Sequence, residues 1–60
     1  MDITNKMIFD LLKTIQNING WKESTIGLKA INDPRVFFRL KHGRVTDNTK
    51  EQLYEAMKRL

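Results

Sequence analysis

Apolar positions in this chain recur at helical intervals and nowhere alternate as they would in a strand. Ile8, Leu11, Leu12 and Ile15 fall on one face of a 3.6-residue period, and Met7 and Ile18 widen that stripe. Thr4 or Asp2 can cap this first helix. "NING" ends it, with Gly20 suited to the left-handed residue that follows a helix. Phe9 points roughly 100° off the stripe, so it is expected to cover a neighbouring helix or to stay half exposed.

A second, shorter pattern, "WKESTIGLKAIN", begins at Lys22 or Ser24 and turns Ile26 and Ala30 inward, with Ile31 beside them. Gly27 in mid-helix costs about 1 kcal/mol against alanine. Close approach of a neighbouring helix would explain it. The third segment opens on Asp33 as N-cap and Pro34 at the first helical position, and ends at Gly43. The fourth, "NTKEQLYEAMKRL", can start with a capping box in which Asn48 stands in for Ser or Thr and Glu51 sits three residues on. Leu53, Ala56, Met57 and Leu60 form its apolar face, and Lys58 and Arg59 complement the helix dipole in the last turn. The chain therefore reads as all-α, a small bundle of four or five helices in one domain spanning 1–60.

The third helix separates its chemistry by face. Val36, Phe37 and Leu40 fall within one sector of roughly 100°, the core side. Arg35, Phe38, Arg39 and His42 share the opposite side, with Lys41 and Arg44 at the edges. Both phenylalanines could still be core, with Phe38 covering the fourth helix. The cations could equally be an ordinary solvated face.

Charge sharpens the picture. Eleven Lys and Arg against seven Asp and Glu give the 60-residue chain a formal charge of +4. Arg35, Arg39 and Arg44 lie within ten residues, and no acid falls between Asp33 and Asp47. A concentrated basic face suits a polyanion. An α-helix fits the DNA major groove, where Arg pairs with guanine and an apolar side chain meets the thymine methyl group. On that reading Arg35, Phe38, Arg39 and His42 face bases. Lys22, Lys29, Lys41, Arg44 and the second helix's N-terminus hold phosphates.

Other chemistries find little support. There is no cysteine, and the lone His42 has no partner at metal-ligand spacing. No nucleophile–base pair or phosphate-cradling glycine loop is present, so neither an enzymatic function nor a cofactor is expected. No effector pocket for a small molecule is evident. No apolar run approaches a membrane span, and "MDITNKMIFDLLK" lacks the features of a signal peptide, so a cytoplasmic, nucleoid-associated protein is expected.

The stretch "GWKESTIGLKAINDPRVFFRLKHGR" resembles the helix-turn-helix of the lambda-repressor/Cro-like (XRE-type) superfamily. The resemblance rests on the apolar-then-small pair Ile26-Gly27, the capped start at Asp33-Pro34, inward Phe37 and Leu40, and the terminal Gly43. It extends from about Asn5 to Leu60, with the helix-turn-helix at about 22–43. The family's turn usually has a glycine followed by an aliphatic residue, where this chain has Ile31 and Asn32. Asn32 can make such a turn through its tolerance of left-handed geometry.

The resemblance implies a sequence-specific double-stranded DNA-binding protein, a small transcriptional regulator of bacterial, phage or prophage type. Its recognition helix, 34–42, would lie in the major groove. A repressor-like homodimer on half-sites about 34 Å apart is the arrangement it implies. The C-terminal helix and Phe9 are the dimer surfaces to consider. Two alternatives stay open: a nonspecific or architectural DNA-binding accessory factor, and a protein-interaction module with an acidic partner.

Overall fold

Four helices joined by short turns make up the computed structural model, which describes residues 2–60. They are α1 (Asn5–Asn19), α2 (Glu23–Ile31), α3 (Val36–Lys41) and α4 (Asp47–Lys58). No strand occurs among the described residues. The fold is a small all-α bundle.

Local chemistry sets each boundary. Thr4 Oγ1 accepts the Met7 N–H at 3.2 Å and starts α1. Gly20, at φ +70°, ends it by donating to the Gln16 carbonyl at 2.7 Å. Ile8, Leu12 and Ile15 are buried as their spacing predicts, but Ile18 is 75% exposed, so no neighbouring helix covers the last turn. The sequence stripe runs one turn further than the core does.

α2 begins at Glu23, with Lys22 at the cap position but no side-chain cap bond. It ends at Asn32, whose φ of +57° is left-handed, the geometry that asparagine was expected to tolerate in this turn. The N–H groups of Asn32 and Asp33 both reach back to the Gly27 carbonyl.

α3 is shorter than the 34–42 span expected of it. Asp33 Oδ1 accepts the Arg35 N–H at 3.0 Å, and the Val36 N–H goes to the Asp33 carbonyl at 3.4 Å. That three-residue reach closes a turn over Pro34 and Arg35, so regular helix starts only at Val36. At the other end, Gly43 sits at φ +68° and donates to the Leu40 carbonyl, while Arg44 donates to that of Arg39. This pair of bonds is a Schellman closure.

The start of α4 also differs from expectation. Thr46, and not Asn48, caps it: Thr46 Oγ1 accepts the Thr49 N–H at 3.3 Å, and the helix is already regular at Asp47. Asn48 lies exposed in the first turn.

Among the described residues nine side chains form one core: Ile8, Leu12, Ile15, Ile26, Val36, Phe37, Leu40, Leu53 and Met57. Phe9 and Trp21 pack against it half-buried. Phe9 does cover a neighbouring helix, with its ring centroid 6.4 Å from that of Phe37. Leu60 is exposed, so the apolar face of α4 stops at Met57. Among the described residues no helix is long and apolar enough to cross a membrane.

Candidate nucleic-acid interface

Three inward residues anchor α3. Val36, Phe37 and Leu40 are all but fully buried, which leaves the helix no freedom to rotate without opening the core. Their fit fixes what points outward. Phe38 is 63% exposed, so the two adjacent phenylalanines divide between core and surface. Its ring lies 4.6 Å from that of His42, tilted by 53°, one helical turn along the same face.

The outward cations differ in how free they are. Arg35 and Arg44 make no ion pair among the described residues, and both are exposed. The Schellman closure at Gly43 carries Arg44 back beside the helix. There Phe38, Arg39, His42 and Arg44 line a shallow concavity of about 190 Å³.

Arg39 is not free. Its Nη1 donates to Asp33 Oδ1 at 3.4 Å and its Nη2 to Asp33 Oδ2, a two-point pairing across the turn. The Arg39 bond, against some desolvation and with help from the Arg35 N–H, holds the Asp33 carboxyl below the ordinary aspartate value of 3.8. The Asp33-Pro34 pair signals a helix cap and carries no sign of this contact. The left-handed Asn32 and the Pro34–Arg35 turn create it, since a separation of six residues is not a helical pairing distance.

The four residues expected at phosphates also separate. Lys41 pairs with Glu23 at 3.0 Å and lies 6.0 Å from the centroid of the Phe9 ring, so it fastens α3 to α2 and α1. The Lys29 ammonium sits 4.9 Å over the Trp21 ring. Lys22 is exposed and, like Arg44, has no ion-pair partner among the described residues. The structure thus brings Arg35, Phe38, Arg39, His42 and Arg44 onto or beside one face of α3. It places Lys22, Lys29 and Lys41 away from that cluster or in other contacts.

Comparison with protein-family models, with curated proteins and with solved structures finds no match to this chain.

Proposed function

We propose that this chain is a sequence-specific double-stranded DNA-binding protein, a small transcriptional regulator of bacterial or phage type related to the lambda-repressor/Cro-like superfamily. The observation that carries this reading is the exposure of Phe38 among the cations of an otherwise tightly anchored helix. Leaving so much aromatic surface in water forgoes burial worth roughly 1.5–3 kcal/mol. A groove that offers base-edge acceptors and phosphates to the cations and a thymine methyl group to the ring accounts for both parts of the cluster.

In this arrangement α3 enters the major groove. Arg35, Phe38, Arg39 and His42 face base edges, and Arg44 and Lys22 meet phosphates at either side. The six residues of α3 rise only about 9 Å. So short a helix reads few base pairs, and a homodimer on a two-fold operator supplies the missing specificity.

Selection from a random duplex pool at roughly physiological ionic strength tests the reading, because nonspecific contacts are largely screened there. Enrichment of one motif, above all an inverted repeat, is the expected result. Retention without a motif would replace it with an architectural role. No retention would overturn it in favour of an acidic protein partner for the same face.

A further inference from the structure

The pairing of Asp33 with Arg39 leaves half of the guanidinium unused. Asp33 engages one hydrogen on each terminal nitrogen, with Nη1 at 3.4 Å from Oδ1 and Nη2 on Oδ2. An arginine carries five N–H donors in a rigid plane. The side fork, formed by Nε–H and the second Nη2 hydrogen, has no partner among the described residues. The Arg39 side chain is 41% exposed, and it lines the same concavity as Phe38, His42 and Arg44. A planar two-donor edge is thus left unpaired on a side chain that lines this concavity.

Asp33 is itself well held. Its Oδ1 also accepts the Arg35 N–H, and its main chain is bonded to Gly27 and Val36. The carboxylate is thus a rigid abutment, not a mobile counter-ion. It has two effects on Arg39. It orders the guanidinium before any ligand arrives, so that ordering does not weigh on binding. It also places a negative charge where a phosphate would have to approach the terminal nitrogens, which disfavours phosphate as the partner.

We propose that Asp33 is a specificity-determining positioning residue: it holds Arg39 by its terminal nitrogens so that the free side fork is presented to the O6 and N7 acceptors of one guanine. This rests on the duplex-DNA reading above and adds to it one base identity and the residue that enforces it. Without the Asp33 charge, Arg39 is released and becomes a flexible phosphate contact.

The test compares the wild type with Asp33→Asn and Arg39→Lys, using motif selection from random duplexes and salt titrations on selected and unrelated duplexes. Thermal melts followed by circular dichroism establish that each variant is folded. The wild-type half-site should contain one position with a strong guanine preference. Asp33→Asn should weaken that preference by about tenfold, within the range of one bidentate base contact. It should also tighten binding to unrelated DNA and steepen the salt slope by about 0.9, the signature of one added phosphate contact. Arg39→Lys keeps a charge beside Asp33 but has no planar fork, so it should lose the same preference without the steeper slope.

A folded Asp33→Asn protein with unchanged base preference and unchanged salt slope would reduce Asp33 to a turn-forming role and overturn the proposal. If that variant does not fold, an unaltered guanine preference in Arg39→Lys does the same. A wild-type half-site with no G·C pair overturns the proposal while leaving specific DNA binding intact. Absence of any duplex binding overturns both.

Discussion

Gly27 and Asp33 are joined at close quarters: the Asp33 N–H donates to the Gly27 carbonyl at 3.2 Å, while the Asp33 carbonyl fills the space a side chain on Gly27 would need. A Cβ built on Gly27 would run into that oxygen and lie 3.0 Å from Val36 Cγ1. The glycine thus sets how closely α2 receives the turn and the first residue of α3. Both Asp33 and the orientation of α3 depend on it.

Gly27→Ala is therefore expected to destabilise the protein, although alanine gains about 1 kcal/mol in helix propensity. The obstacle is backbone, which cannot swing aside as a side-chain tip can. Overpacking of this kind costs about 1–3 kcal/mol, and the net loss should be visible as a lower urea midpoint. An unchanged or raised midpoint would show that the turn shifts freely.

The two phenylalanines should respond in opposite ways. Phe37 is 1% exposed at the centre of the core, and its replacement by alanine costs about 3–5 kcal/mol. A domain of 60 residues has about 3–9 kcal/mol to lose, so Phe37→Ala should be largely unfolded by circular dichroism. Phe38→Ala should melt like the wild type, within about 0.5 kcal/mol. Under the proposed DNA-binding function its duplex affinity should fall about fivefold, the equivalent of about 1 kcal/mol of apolar contact. Destabilisation by Phe38→Ala would mean that its ring supports the fold through His42.

Much of this architecture can be read directly from residue types. Four helices, the burial of Val36, Phe37 and Leu40, and the left-handed Asn32 follow from periodicity and turn chemistry, which are local. What could not be read was long-range or depended on competition between similar caps. Asp33 can cap a helix or brace an arginine. Only the three-dimensional turn brings Arg39 within its reach. Lys41 belongs by spacing to the edge of the basic face, but Glu23, eighteen residues away, draws it toward α2. Thr46 and Asn48 are both good caps, and the sequence does not rank them.

The cap itself is open to measurement. Thr46 Oγ1 accepts the Thr49 N–H, and Asn48 has no such role. Thr46→Ala should cost about 1 kcal/mol, in the ordinary range for a lost N-cap. Asn48→Ala should be neutral or slightly stabilising, since alanine is the better helix former inside the first turn. Chemical denaturation of both variants settles the order. The reverse ranking would move the start of α4 to the later residue.

Acid stability provides a separate view of Asp33. Its carboxyl is held below 3.8 in the folded protein, chiefly by the bond to Arg39. A carboxyl lowered on folding contributes stability that is fully present above its unfolded value and disappears as pH falls through the folded one. The wild type should therefore exceed Asp33→Asn in stability by a constant margin from neutral pH down to about 5, well above the unfolded value. The margin should then shrink as pH drops below 3.8 toward the lowered folded value. Urea unfolding of both proteins across that range measures it. A margin that stays level into acid would mean that Asp33 contributes through its turn geometry alone and that its charge on Arg39 adds nothing to the fold. Raising the ionic strength should reduce the same margin only partly. The pair is only partly exposed, with the Asp33 side chain at 25%, and salt screens such a contact less than it screens a fully solvated one.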